Sequence, residues 1–569
     1  MTARTCAGGA ISEAPMSTPS RGARRSLCVL LPFLLSACGE SHPPGDSGTP
    51  DAGPPWDGTY TELEDLGYWV DTGRYDACQF IDADNLDPQL CQRPTSFDLS
   101  SCSSAQLSTV ENQGIYQVVL RAERRVRPDR PTSTFASGGS ISFRLSADGS
   151  KDALSSGPLL TRDTGNGSFF FSGRRTLALT TGNLVTTAAF AGCHVPSPGV
   201  ITGCYVSCVE NPVTGYSKTL GTFEATRMTW APGEGESSGG LVRVGEAATT
   251  MIRPADLYIA KEHAYVVSLD RPPLLGGLSV FDVRDRTAPK LVKTLSFPGD
   301  TSWNGVWAKD DTLYVASNSS GLVILDISDP ANPSFVRRAE GPTTVHTVLV
   351  DGDRLYANAP GTGTYVYDVT NALDPTLLQI VRPTVEGGYG DGPHDVFVYE
   401  DRLYVSNGSD GFQIMDVADL NDVRQLGSYF LPRLATYAHH SAVGTFAGKT
   451  IAFEGGEFPG SHVRVLDVTN PAAHIPLIGT FRMRAATSMH NLLLRGNLLY
   501  VAWYHEGLRV LDVSNPTQPR QVAHYNTFRE DDPGREHSVF EGNYGVRIPG
   551  DGYVYLVDAS RGLIILNEL

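Results

Sequence analysis

From about residue 240 to the C-terminus, short apolar runs alternate with turn-forming residues, and the alternation repeats. Gly277-Leu278-Ser279-Val280-Phe281-Asp282 returns as Gly321-Leu322-Val323-Ile324-Leu325-Asp326 and, more loosely, as Thr364-Tyr365-Val366-Tyr367-Asp368. Gly411-Phe412-Gln413-Ile414-Met415-Asp416 and Val463-Arg464-Val465-Leu466-Asp467 follow. Gly507-Leu508-Arg509-Val510-Leu511-Asp512 and Gly562-Leu563-Ile564-Ile565-Leu566-Asn567 complete the series. Successive Asp (or Asn) positions are 44, 42, 48, 51, 45 and 55 residues apart. A period near 45 built of β-rich runs predicts a four-stranded propeller blade rather than a helical solenoid.

Each unit holds four such runs. Around the second copy they are Gly305-Val306-Trp307-Ala308, Thr312-Leu313-Tyr314-Val315-Ala316, the Asp-ending run and Ser334-Phe335-Val336-Arg337-Arg338. Acidic or glycine turns such as Asp310-Asp311 join the first two as hairpins. Asp326-Ile327-Ser328-Asp329-Pro330 and Asp512-Val513-Ser514-Asn515-Pro516 follow the third run. Asp bonds the backbone of the next turn and Pro cannot continue a ladder, so this Asp reads as a turn-former rather than a catalytic acid. The seventh unit ends at Leu569 without a fourth run, while Gly240-Leu241-Val242-Arg243-Val244-Gly245-Glu246 resembles one. Residues near 241–250 are therefore expected to complete the last blade and leave no open sheet edge.

The run Gly-Leu-x-Val-Leu-Asp-Val-Ser-Asn-Pro-x-x-Pro at 507–519 resembles the LVIVD repeat family of secreted and surface-anchored bacterial β-propellers. The resemblance covers roughly residues 240–569. It implies a seven-bladed, all-β propeller and says little of function, because a fold does not define a site.

The N-terminus has a different character. Arg21, Arg24 and Arg25 precede the apolar stretch Leu27-Cys28-Val29-Leu30-Leu31-Pro32-Phe33-Leu34-Leu35, then Ser36-Ala37-Cys38. This order is that of a secretory signal over residues 1–37, with Met16 a possible true start, and the apolar run is too short to span a bilayer. Leu35-Ser36-Ala37-Cys38 resembles the lipobox of bacterial lipoproteins, which implies a lipid thioether on Cys38 and cleavage before it. Gly39 stands where an inner-membrane retention signal carries Asp, so the outer membrane is favoured. Residues 38–55 contain little besides Pro, Gly, Ser and Asp and are expected to form a disordered tether.

Without residues 1–37 the chain carries 41 Lys and Arg against 61 Asp and Glu, a formal −20. Such a surface repels nucleic acid and anionic lipid, which leaves the lipid as the membrane contact and a protein or glycan as the partner. Six cysteines remain beyond Cys38: Cys78, Cys91, Cys102, Cys193, Cys204 and Cys208. An even number in an exported segment predicts up to three disulfides, with 15 possible pairings. The spacing Cys204-x-x-x-Cys208 admits zinc as a rival, though no matching second pair exists. All six fall within residues 56–235, where alternating runs such as Ile115-Tyr116-Gln117-Val118-Val119-Leu120 predict a β-rich domain, a sandwich or a barrel. Residues 236–569 are assigned to the propeller.

Catalytic motifs are sparse. Gly235-Glu236-Ser237-Ser238-Gly239 fits the serine-hydrolase pattern but sits in a Gly/Ser-rich linker, without the strand and helix that a nucleophile elbow requires. One constellation survives. Aligned on the second-run tyrosines Tyr265, Tyr314, Tyr356, Tyr404 and Tyr500, the residue ten positions earlier is Ala255, Asn304, His346, His394 and His490. The two blades with insertions place His440 (or His439) and His537 there. Converging imidazoles could hold a transition metal, with Asp391, Asp395 and Glu536 as supporting groups. They could equally point between blades and bond neighbouring backbone. Three readings follow: a cell-envelope lipoprotein with a binding or scaffolding propeller, a metal-dependent enzyme, and a purely structural envelope protein. The missing motifs favour a non-enzyme.

Overall fold

The computed structural model describes residues 55–569 apart from 112, 129, 139, 146–152, 155–156 and 431–435. The signal segment, Cys38 and most of the tether lie outside the described residues. The propeller comprises seven four-stranded antiparallel blades. Blade 1 runs through Pro254–Ala260, His263–Ser268, Gly277–Asp282 and Lys290–Leu295. Blades 2 to 6 have innermost strands Trp303–Lys309, Thr347–Asp351, Asp395–Tyr399, Ala438–Phe446 and Leu492–Arg495. In blade 7 Asn543–Arg547, Tyr553–Asp558 and Gly562–Asn567 are joined by Arg243–Ala247. Ser237–Ser238 adds a short fifth strand to blade 6.

The repeat's chemistry explains this regularity. Apolar residues of the third strands are fully buried between blades. Second-strand tyrosines are buried too, and a buried hydroxyl is best placed where it meets an acceptor. Tyr265 donates to the Pro330 carbonyl (3.0 Å) and Tyr314 to that of Ala372 (2.8 Å), so a blade is pinned to a turn of the next. The repeat aspartates behave as turn-formers. Asp282, Asp326, Asp368, Asp416, Asp467 and Asp512 each accept the backbone N–H two residues on, at 2.7–3.2 Å.

Closure of the ring follows the expected route. Arg243 pairs with Leu566 and Ala247 with Leu563, antiparallel. Asn567 clasps the arriving chain by accepting from Val242 N–H (2.6 Å) and donating to the Gly240 carbonyl (3.1 Å). Arg561 grips Glu246 with two bonds of 2.8 and 2.6 Å. Leu241 is buried among Val510, Ala523 and Leu566.

Residues 114–227 form a separate, nine-stranded antiparallel sheet. It curls on itself: Phe143 near one end of the strand order stacks on Phe171 (5.5 Å between centroids) and meets Phe190 (6.3 Å) from the other side. The sheet is therefore a barrel with an aromatic interior. Its outer face at Gly182–Ser197 and Val200–Asn211 is also apolar, and the irregular segment that begins at Asp76 covers it. Three disulfides fasten that cover: Cys78–Cys204, Cys91–Cys208 and Cys102–Cys193. Cys204 and Cys208 thus go to different partners, which removes the zinc alternative.

Residues 56–68 pack mainly on blade 5, and Trp69 then reaches Gly138 of the barrel. Tyr68 is buried, accepting from Tyr437 N–H (3.1 Å) and donating to its carbonyl (2.5 Å). Gly456 makes room: a Cβ there would fall 1.5 Å from the Tyr68 hydroxyl. Asp65 meets the fully buried Arg464 (2.6 Å), which also reaches Glu454 (3.3 Å). Replacing Arg464 by Met leaves two carboxylates buried together, and loss of one partner from such a cluster costs about 3–5 kcal/mol. Calorimetry should show that loss for Arg464→Met and a substantial recovery when Asp65→Asn and Glu454→Gln are added. An unchanged melting temperature for the single variant would contradict the account.

Candidate functional site

The innermost strands line the central channel, and the loops that lead into them form one face of the ring, here the upper face. A bulge lifts one residue at the start of several of these strands. The residues so placed are Ala255, Asn304, His346, His394, His439, His490 and Tyr544. His346, His394 and His490 stand where the alignment puts them. In blade 5 the bulge between Ala438 and His440 presents His439 to the row. His440 lies one layer deeper, 3.9 Å from Asp395, and its Nδ1 accepts from Leu492 N–H (3.3 Å). His537 stands apart: its carbonyl accepts from Gln117 Nε2 (3.0 Å) under the barrel. The insertion that carries it lies in the loop before blade 7 and not in the strand, so Tyr544 takes the position.

The row is continuous. Asn304 Nδ2 lies 2.8 Å from His346 Nδ1, and His346 Nε2 lies 2.8 Å from His394 Nε2. The rings of His394 and His439 are 4.1 Å apart, and those of His439 and His490 are 4.4 Å apart. Side chains also bond the backbone of the next blade. Asn304 Nδ2 donates to the His346 carbonyl (2.9 Å), His439 Nδ1 to that of His490 (3.1 Å) and His490 Nδ1 to that of Tyr544 (2.6 Å). Burial holds these imidazoles neutral, with His346 pushed down to about 4 and His490 to about 3.

Glu457 joins the row from the loop between the second and third strands of blade 5. Its Oε2 lies 3.8 Å from His439 Nε2, and Tyr504 donates its hydroxyl to Oε1 (2.7 Å). Burial raises the Glu457 carboxyl to about 8. Tyr437, Phe458, Phe540 and Tyr504 form an aromatic collar above, linked by contacts of 5.4–6.1 Å. Phe458 holds φ at +86°, a left-handed backbone that costs an aromatic residue on the order of 1–3 kcal/mol. Glu457, Tyr504 and Tyr544 lie outside the sequence alignment. The one hint is the unusual Gly455-Gly456-Glu457-Phe458-Pro459-Gly460 of the blade that precedes a spacing of 45 and follows one of 51.

Of the supporting acids Asp395 stays beside His440 (3.9 Å), and the other two go elsewhere. Asp391 caps Ser409 (3.0 Å to its N–H), and Glu536 pairs with Arg271. In the Gly235–Gly239 pattern it is Ser238, not Ser237, that meets a histidine: its hydroxyl lies 2.7 Å from His524 Nδ1. That pair joins the added strand to blade 6, where Ser238 faces His524 across the ladder.

The upper face is divided. The barrel covers part of it, with Arg227 on Glu530 (2.5 Å), Trp230 Nε1 on the Phe528 carbonyl (3.0 Å) and Arg484 on the Thr229 carbonyl (3.0 Å). The uncovered part carries Leu274, Leu275, Tyr389, Phe430 and Phe458, each more than a third exposed. On the lower side Val242 and Leu569, beside the closing strand, are exposed as well, but neither is aromatic.

Seven radial blades around a channel make this protein a β-propeller. The LVIVD repeat family matches residues 299–340 and 488–527, which span blades 2 and 6, so those two blades are LVIVD repeats. No curated protein matches the chain in sequence. Among solved structures, the computationally designed Ika8 protein is 10% identical, covering 57% of this chain and 99% of its own, with a TM-score of 0.41. The WD40 β-propeller domain of Doa1 is 10% identical (58% and 98% covered, TM-score 0.42), and U3-55K is 8% identical (59% and 100%, 0.43).

Proposed function

We propose that this protein is a lipid-anchored cell-envelope binding module whose upper face, between the barrel and the open blades, holds a protein or glycan partner. The fold is compatible with a binding or scaffolding role. The observation that carries the reading is the exposure of large aromatic groups on the upper face: Tyr389 and Phe430 leave 69% and 61% of their surface to solvent there. Clustered exposed aromatics mark interaction sites, because they offer large contact area at little entropic cost. The lipobox-like residues before Cys38 support the anchor, and the formal −20 disfavours nucleic acid.

One experiment tests both parts. Wild-type protein in cells of a lipoprotein-processing bacterium should incorporate labelled palmitate, and Cys38→Ala should not. Solubilised wild type should retain an envelope protein or glycan that Tyr389→Ser/Phe430→Ser loses by about tenfold or more in affinity, as aromatic anchors do. Labelling of Cys38→Ala would overturn the anchor. Equal retention by the double variant would overturn the face.

A further inference from the structure

We propose that His394, His439 and Glu457 form a binding site for one first-row divalent transition-metal ion at the upper mouth of the channel. One ligand atom from each lies within 4.8 Å of the other two, and all three residues are buried. Two imidazoles and a carboxylate are a donor set that suits zinc, copper or ferrous iron. Ligands 2.0–2.2 Å from an ion stand roughly 3.4 Å apart in a tetrahedron, so the groups need close by only about an ångström.

The hydrogen bonds around the three groups favour an ion over simple packing. His439 commits its Nδ1 proton to the His490 carbonyl (3.1 Å). That fixes the tautomer, so the Nε2 lone pair faces Glu457, and this buried nitrogen has no hydrogen-bond partner. The same arrangement holds at His490, whose Nδ1 donates to the Tyr544 carbonyl (2.6 Å) and whose Nε2 is likewise without a partner. A backbone carbonyl on the far nitrogen is how metal-ligating histidines are oriented. Glu457 is held in the same manner: Tyr504 occupies Oε1 (2.7 Å) and turns Oε2 toward His439. On the other flank His346 meets His394 Nε2 to Nε2 at 2.8 Å and steadies that ring. A buried acceptor without a donor costs about 1–3 kcal/mol, and a cation among these acceptors removes that cost. The aromatic collar with strained Phe458 screens the site from bulk water while lying next to Glu457 in the chain. His490, its ring tilted 45° against that of His439, flanks the site.

The test uses the full chain, stripped with a chelator and then dialysed separately against zinc, copper(II) and cobalt(II). Elemental analysis should find about one ion per chain, and bound cobalt should show visible absorption of nitrogen and oxygen ligation. His439→Gln and Glu457→Gln should each weaken binding by about tenfold or more, while His524→Gln, outside the channel, binds as wild type. Wild-type uptake below about half an equivalent of all three ions would overturn the site, whatever the variants do. So would undiminished binding by folded Glu457→Gln and His439→Gln.

Discussion

A chain beginning at residue 252 should be far less stable than one beginning at residue 236, although the two differ by only sixteen residues outside every repeat. The missing piece contains Arg243–Ala247, the strand that closes blade 7 against Gly562–Asn567. Its loss exposes the ladder groups of the last strand and breaks the paired Arg561–Glu246 contact. It also removes Leu241, buried in the core between blades 6 and 7. Truncation of one such leucine costs about 2–5 kcal/mol, and whole domains have only about 5–15 kcal/mol to lose. Thermal unfolding should show the shorter chain molten or aggregated at temperatures where the longer one is native. Equal melting of the two would mean that the ring does not depend on this strand.

Reduction should divide the molecule thermally. All three disulfides lie in the barrel, and the propeller contains no cysteine. The bridges join residues 126, 117 and 91 apart in sequence. A cross-link across about 100 residues restricts the unfolded chain by about 4–5 kcal/mol on the chain-entropy view. Reductant should therefore lower the barrel's transition by about 10 °C or more, given the usual size dependence, and leave the propeller's transition in place. A scan in which both transitions move together, or neither moves, would contradict this division.

The propeller was legible because its signal is repeated. Seven copies of a buried strand, six of them ending in a turn-forming Asp, average out local irregularity, and a terminal unit lacking one strand points directly to the segment that supplies it. The barrel was legible only as β-rich. Its strands at Gly182–Ser197 and Val200–Asn211 bury both faces, inward on aromatics and outward on the disulfide-bound cover, so alternation there does not reveal which face is the interior. Cysteine counting allowed up to three bridges but could not choose among pairings, which depend on how the cover crosses the barrel. The histidine row was half visible. His346, His394 and His490 obey the spacing, whereas a bulge substitutes His439 for His440 and a loop insertion removes His537. Glu457 comes from another loop, and no spacing within one strand encodes it.

The closing strand also fixes the order of events during synthesis. Its partner, Gly562–Asn567, follows every other strand of the propeller in the chain, so residues 243–247 must remain unpaired while some three hundred residues are made. Closing so long a loop is entropically slow compared with the hairpins inside each blade. The blades therefore form in sequence as an open arc, and the ring closes only once Gly562–Asn567 has been made. A chain cut short by a handful of C-terminal residues would stay an arc with two sticky ends, the form most prone to join its neighbours instead of itself.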